Sequence, residues 1–297
     1  MKKNIFYNKN ILVTGGSGSI GSGIVELLLK KNCKVIRVMS NDENGIYELS
    51  EKLNSLNKKL ITKMVKSKIR YLIGDIRDYK RCLLATKNIH IVIHAAAMKH
   101  VPICEYNKNE TYKTNVKGTK NLIKSSVKNN VKKFLLISTD KAADPTSEMG
   151  KSKLKAEKLV IESNKKNSTK FSVIRFGNIL FSRGSVIYKF VKQINSKKKI
   201  TVTGLNVSRF FISLNSAVNS VLESIQIMKG SEKFVAINMP TFKIIDLAKA
   251  IKIIFKKKNK IQIIGLREGE KTYEKLVSSK ETLVKHKNSN KLGIILD

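Results

Sequence analysis

A glycine-rich turn between an apolar strand and an amphipathic helix, close to the start of the chain, constrains the fold more than any other feature. Residues 9–14 run Lys-Asn-Ile-Leu-Val-Thr, and the turn is Gly15-Gly16-Ser17-Gly18-Ser19-Ile20-Gly21. Ile24, Val25, Leu27 and Leu28 then follow at helical spacing. A strand feeding a helix through such a turn opens a parallel α/β unit, and the free N–H groups at the helix start favour an anion. The Gly15-x-x-Gly18-x-x-Gly21 spacing lets backbone approach a pyrophosphate, so Gly15, Ser17, Gly18, Ser19, Ile20 and Gly21 are candidate cofactor contacts. A merely flexible glycine turn is the alternative.

The rhythm set by this turn continues. Further strands are predicted at 34–38, 69–74, 89–94, 134–137 and 171–176, with helical patterns between them, one running from Tyr112 towards Lys128. Phe134-Leu135-Leu136-Ile137 is an unbroken apolar run, as expected of a parallel strand buried on both faces. About six alternations predict an α/β fold with a doubly wound parallel sheet. After Asn178 the pattern changes to a short strand at 200–204, a helix at 245–255 and an extended stretch at 261–264. The expected organisation is a dinucleotide-binding domain over 1–178 that also carries the catalytic residues, and a smaller mixed α/β lobe over 179–297, mostly for substrate.

Composition excludes several other readings. At 297 residues and 41% hydrophobic content the chain can bury a large core. No apolar run approaches the length of a membrane span, and the first residues lack the apolar centre of a signal peptide, so a cytoplasmic protein with no membrane span is expected. Three cysteines, Cys33, Cys82 and Cys104, stand in unrelated settings and suggest no disulfide framework. The net charge of +37 could indicate a nucleic-acid partner. However, the lysines are spread over every segment and alternate with asparagine, as in Lys128-Asn129-Asn130, without stacking aromatics, so no nucleic acid is expected. His94, His100 and Cys104 match no zinc spacing, so no metal is assigned.

Polar residues that follow the strands mark the carboxyl edge of the sheet, where open α/β sheets bind ligands. After the fifth strand come Ser138-Thr139-Asp140-Lys141, and then Met149-Gly150-Lys151-Ser152-Lys153 at the start of a helical pattern. Met149 and Lys153 are four apart and share a helix face. The second strand ends at Ser40, with no acid squarely at its end and no arginine to mark a 2′-phosphate; nearby lysines favour NADP slightly over NAD. Asp75 and Ile76 follow the third strand, where Asp75 either accepts from an adenine amino group or caps a helix. Ala95, Ala96 and Ala97 follow the fourth and let a cofactor lie flat, while Asn115 either bonds backbone or orders the site. Only eight of the 59 basic residues are arginine. Four of them, Arg175, Arg183, Arg209 and Arg267, lie in the motif-rich second half and are directed here to a diphosphate, since a guanidinium offers a planar fork that lysine cannot imitate.

Taken together these stretches resemble the extended short-chain dehydrogenase/reductase superfamily, and within it the polysaccharide-biosynthesis branch of UDP-N-acetylglucosamine 4,6-dehydratases. The matching text is 14–21, His94 to Glu105, Lys113 to Thr119, Ser138 to Lys141, Met149 to Lys153, Arg175-Phe-Gly-Asn178, Ser182 to Val186, Arg209-Phe-Phe211 and Gly269-Glu-Lys271. The resemblance implies a Rossmann-type sheet and the cofactor NAD(P). It also implies a UDP-sugar substrate, and a homo-oligomer with contacts through the helices near Glu110 and Glu148. In the superfamily layout a Tyr-x-x-x-Lys pair handles the proton; here the lysine is Lys153 and the tyrosine position holds Met149, which cannot titrate.

The implied reaction takes a hydride from sugar carbon 4, removes the proton on carbon 5 as the carbon-6 hydroxyl leaves, and returns the hydride to carbon 6. By the same resemblance Lys141 takes the carbon-5 proton, Asp140 protonates the leaving hydroxyl, Lys153 holds the nicotinamide ribose and Thr139 bonds the sugar near carbon 4. Asn178, Arg209 and Arg267 fall to the UDP diphosphate and ribose, with Arg183 beside them. Glu270 falls to a ribose hydroxyl, Thr201 to the uracil and Lys99 to the sugar. The alternatives are a UDP-N-acetylglucosamine 4-epimerase, a 5-epimerising dehydratase and, distantly, a basic nucleic-acid-binding protein without catalysis.

Overall fold

The computed structural model describes residues 4–60 and 68–296; residues 1–3, part of the N-terminal stretch read above for a leader, lie outside them. The first half alternates as expected. Its elements are β1 (Asn10–Thr14), α1 (Ser19–Leu29), β2 (Val35–Ser40), α2 (Glu43–Leu60), β3 (Lys68–Ile73), α3 (Tyr79–Thr86) and β4 (Ile91–His94). They continue with α4 (Val101–Tyr106), α5 (Lys108–Tyr112), α6 (Thr119–Lys128), β5 (Lys133–Ile137), α7 (Glu148–Glu162) and β6 (Lys170–Arg175). The second half adds β7 (Asn178–Ile179), α8 (Val186–Asn195), β8 (Ile200–Val202), β9 (Ser208–Ile212), α9 (Leu214–Ile227) and β10 (Lys233–Ala236). It ends with β11 (Thr241–Lys243), α10 (Ile244–Ile254), β12 (Ile261–Ile263), β13 (Thr282–Lys285) and β14 (Leu292–Leu296).

Nine strands form one sheet in the order β13-β14-β10-β6-β5-β4-β1-β2-β3. From β3 to β10 all neighbours are parallel, and β14 and β13 close one edge antiparallel. The chain order reverses between β1 and β4, the switch point at which such sheets open a ligand crevice. Alternation along the strands feeds two cores. Ile11 and Val13 pack with α1 and with Val218 and Val221 of α9 on one face. Leu12, Phe134 and Leu136 pack with Leu122 and Val160 on the other. A third cluster, built from Phe190, Ile200, Phe211 and Ile251, holds α8, β8, β9 and α10 together as the smaller lobe.

Two expectations need correction. The boundary at residue 178 does not partition the fold, because α9 packs on α1 and β10, β14 and β13 rejoin the large sheet. Those strands are short, and their pairings are made with distant segments, which local patterning does not reveal. The helix read from Tyr112 is also interrupted, by a π-helical turn over Lys113–Gly118. There Asn115 bonds outside the helix, and Gly118 sits so close to Ile76 that a Cβ would lie 2.6 Å from its side chain. No helix among the described residues is long and apolar enough to cross a membrane. All three cysteines are free and buried.

Candidate active site

The crevice at the switch point is a cleft of about 930 Å³ running from the glycine turn to the smaller lobe. At one end the backbone itself forms a cradle. Gly15 has φ +64°, and a Cβ there would meet the Ala96 backbone at 2.7 Å; at Gly21 it would meet the Gly15 carbonyl at 2.2 Å. Gly18 caps α1 without a side chain, so the first N–H groups of the helix are left for a ligand. Ser17, Ser19, Ile20, Ser40, Asp75, Ile76 and Ala95 to Ala97 line the same end. The Ser17 and Ser40 hydroxyls are 2.8 Å apart, which ties the glycine turn to the end of β2. Asp75 is already engaged by Arg77. Burial alone would raise its carboxyl, but the Arg77 hydrogen bonds and charge hold it below the usual range. Asp78, not Asp75, caps α3.

The tip of β5 supplies the ionisable centre. Buried apolar residues carry the chain to Ile137, and a single 3-10 turn over Asp140–Ala142 follows, with Thr139 as its cap. Thr139 Oγ1 donates to Asp140 Oδ1 at 2.8 Å. Lys141 Nζ donates to Asp140 Oδ1 at 3.0 Å and to Asn178 Oδ1 at 3.2 Å. Thr139, Lys141 and Asn178 line the cleft. Asp140 is fully enclosed behind them, and its Oδ2 has no partner among the described residues. Asp140 therefore does not itself face the cleft and is connected to it only through the Thr139 hydroxyl and the Lys141 amine that it bonds.

On the facing helix α7, capped by Ser147, Met149 and Lys153 share the cleft wall as their spacing predicted. Lys153 Nζ donates to the Ile137 carbonyl at 2.6 Å, and burial pushes its amine down to about 8 against the pull of Glu157. His94 lies below, bonded to Thr14 and Thr119 at 2.8 and 3.0 Å. Burial, helped by the Lys153 charge, lowers it to about 3, so it is a neutral packing residue. Among the described residues no group of three His, Cys, Asp or Glu side chains could hold a metal.

The smaller lobe closes the other end with Thr201, Arg209, Arg267 and Glu270, while Lys99 enters from the sheet side. Arg209 donates to Glu270 at 3.2 Å and to the carbonyls of Ser208, Lys271 and Thr272; Glu270 also accepts from Thr203 at 3.1 Å. Lys99 donates to the Arg183 carbonyl at 2.7 Å, and burial with the nearby Arg183 charge lowers its pKa.

Three expected contacts fall elsewhere. Arg175 is fully buried and spends its guanidinium on Glu157 and Glu281, so it is a structural clamp and does not face a diphosphate. Arg183 turns to Asp42 and Glu48, just beyond β2, at the far end from the smaller lobe. Asn115 does not line the cleft; its amide is taken up by the Met98 backbone and the Ser152 hydroxyl, which fixes the floor of the cleft from behind. Glu274 and Lys271, absent from the expectations, are found in the wall. The signal for Glu274 was its scarcity, since only 22 residues of the chain are acidic.

The profile of the family described as polysaccharide biosynthesis protein matches residues 11–295. An uncharacterized membrane protein of Methanocaldococcus jannaschii is 45% identical over 94% of this chain and 83% of its own length. A UDP-N-acetylglucosamine 4,6-dehydratase (inverting) of Campylobacter jejuni is 40% identical over 98% and 84%. A UDP-glucose 4-epimerase of Rickettsia bellii is 40% identical over 93% and 80%. Among solved structures, Pen from Bacillus thuringiensis superposes with a TM-score of 0.89 at 39% identity, covering 97% of this chain and 88% of that one. A dTDP-glucose 4,6-dehydratase of Streptomyces venezuelae with NAD bound shares the fold, at a TM-score of 0.81 and 18% identity over 90% and 88%.

Proposed function

Since the chain belongs to the polysaccharide biosynthesis protein family, we propose that it is a nucleotide-sugar 4,6-dehydratase acting on UDP-N-acetylglucosamine, in the making of a surface polysaccharide or glycan. The observation that carries this reading is the hydrogen-bonded set Thr139, Asp140, Lys141 and Asn178 in the same cleft as the glycine cradle. A hydride exchange alone needs one proton-handling group, whereas loss of water needs a base and an acid at neighbouring atoms. The β5 tip offers both types, an amine in the cleft and a carboxyl behind it.

The cradle fits a nicotinamide dinucleotide: Gly15, Gly16 and Gly21 leave no room for a Cβ, so backbone lines the turn there, and an open helix start faces the gap. Gly15 to Gly21, Ser40, Ala95 to Ala97 and Lys153 would hold it. When bound, NAD(P) supplies a hydride acceptor and donor for the sugar, with no net redox change. We read NADP in preference to NAD, because β2 ends at Ser40 with no acid squarely at its tip, where such folds discriminate at the ribose 2′ position. Mass spectrometry of nucleotide extracted from the purified protein tests this choice.

The chain's own residues then handle protons. Thr139 bonds the sugar near carbon 4 and relays the hydroxyl proton to Asp140, to which its own hydroxyl already donates. Lys141 takes the proton from carbon 5. The electrons of that C–H bond form the carbon 5–carbon 6 double bond, and the carbon-6 hydroxyl leaves as water with a proton relayed from Asp140. Arg209, Arg267, Glu270 and Thr201 hold the UDP portion, and Lys99 orients the hexose.

The second reading is a 4-epimerase, favoured by the Rickettsia bellii relative at equal identity; in it Asp140 has no leaving group to protonate. Proton NMR of UDP-N-acetylglucosamine incubated with the protein separates the two. A new carbon-6 methyl signal is expected. UDP-N-acetylgalactosamine as the product would overturn the dehydratase reading.

A further inference from the structure

The segment beyond residue 270 brings Lys141 a second carboxylate. The Glu274 side chain is 5% exposed and forms part of the cleft wall. Its Oε1 lies 3.9 Å from Lys141 Nζ, and its Oε2 lies 3.8 Å from Lys271 Nζ without a hydrogen-bond partner among the described residues. Lys271 cannot close that gap freely, because its amine already donates to the carbonyls of Ala143 and Asp144. The charged groups facing Glu274 are Lys141, Asp140, Arg209 and Lys271. Burial raises its carboxyl above the ordinary range; the three cations oppose that shift and Asp140 adds to it.

A carboxylate buried for structural reasons collects donors, because an unpartnered buried oxygen forfeits its hydration. Glu274 is buried without them, and its Oε1 lies 3.9 Å from the Lys141 amine that Asp140 bonds at 3.0 Å. We infer that Glu274 is a positioning residue for Lys141: it draws the amine to the cleft wall and sets the pH at which Lys141 can accept a proton. The inference rests on the reading of Lys141 as the proton acceptor above. In that step the neutral amine takes the carbon-5 proton and becomes an ammonium between two carboxylates. Glu274 thus favours the state that follows proton uptake. When hydride is returned to carbon 6, carbon 5 takes a proton back, from the ammonium or from water in exchange with it, and the amine is free for the next turnover.

The test uses the full chain with NAD(P) added. Glu274→Gln keeps the shape and removes the charge, while Glu274→Asp keeps the charge on a shorter arm. Acetic anhydride labelling of Lys141, followed by mass spectrometry across pH, measures the free amine without any need for turnover. The pH profile of kcat with UDP-N-acetylglucosamine measures its use. In Glu274→Gln both curves should move about one pH unit downward, a tenfold change in the free amine at a given pH below the midpoint. KM should stay nearly unchanged, and Glu274→Asp should lie between the two. A labelling curve superposing on that of the unaltered protein would overturn the inference, as would loss of cofactor with no shift. If no UDP-sugar is converted the dehydratase reading fails, and the labelling curve still decides whether Glu274 governs Lys141.

Discussion

Glu274 and Glu281 are seven residues apart, with side chains 5% and 6% exposed and each beside a cation, yet their carboxyls are driven in opposite directions. Burial works against ionisation in both. Glu281 overcomes it by accepting two hydrogen bonds from Arg175, at 2.8 and 3.0 Å, one from the Ser278 backbone and one from Lys233, and is pushed down to about 2. Glu274 has only cations near 4 Å and is pushed up. The difference lies in the donors. Four donors make Glu281 a clamp; too few leave Glu274 poised to respond to a neighbour. The two roles are linked through the chain. Arg175 also grips Glu157 of α7 at 2.6 Å and the Leu276 carbonyl, so the clamp pins the segment that carries Glu274 into the cleft.

The comparison is broken most directly at its two cations. Lys141→Met should lower turnover by at least about a hundredfold, the scale of a lost general acid or base, while bound cofactor stays as it was; stability should fall as well, because Asp140 is left buried without its cation. Unchanged activity in an NMR assay of product would remove Lys141 from the chemistry. Arg175→Met should act first on stability. Removing one partner of a buried ion pair costs about 3–5 kcal/mol, here with two carboxylates stranded, so the urea midpoint should fall steeply. Turnover should fall with it only as far as residues 276–281 come loose. A small stability loss would mean that the clamp is not what holds the segment.

How much of this was legible in the residues depended on how local the cause is. The glycine turn announced itself because Gly15 and Gly21 are demanded by contacts within the turn and with Ala96. The Lys141 cluster followed from polar residues placed straight after a buried strand. The arginines were harder. Their scarcity directed Arg175 and Arg209 to a diphosphate, but a guanidinium fits a carboxylate as well as a phosphate, and Arg175 is spent on Glu157 and Glu281, 18 and 106 residues away. The same scarcity applied to the acids would have flagged Glu274, although nothing local points it at Lys141. The return of β10, β14 and β13 to the main sheet is likewise a matter of pairing between distant segments, which periodicity cannot show.

The two glutamates also make opposite pH predictions. Glu281 has a folded pKa of about 2, below the ordinary 4.5 of the unfolded chain, so its contribution is present above 4.5 and is lost as pH falls towards 2. The size is about 3 kcal/mol by linkage. Glu274, raised in the folded state, favours folding below its unfolded pKa and loses that contribution as pH rises. At neutral pH, therefore, Glu281→Gln should lower the urea midpoint and Glu274→Gln should leave it equal or raise it. Measured from pH 7 downward, the Glu281→Gln deficit should shrink below about pH 4.5. Two variants losing stability alike would erase the distinction between clamp and responsive group.

The smallest effect is expected at Met149, and its smallness is informative. Met149 is 4% exposed in the cleft wall, one helical turn before Lys153, at the position where the layout that the sequence resembles would place a tyrosine. Met149→Tyr adds volume towards the cleft rather than into the packed core, so the stability change should stay within about 1.5 kcal/mol, as for well-tolerated swaps. If Thr139, Asp140 and Lys141 already move every proton, a new phenol beside Lys153 duplicates a route in use, and turnover should change by less than about tenfold, or 1.4 kcal/mol in the barrier. A gain of a hundredfold would say that the β5 tip is an incomplete acid-base site that lacks a phenol.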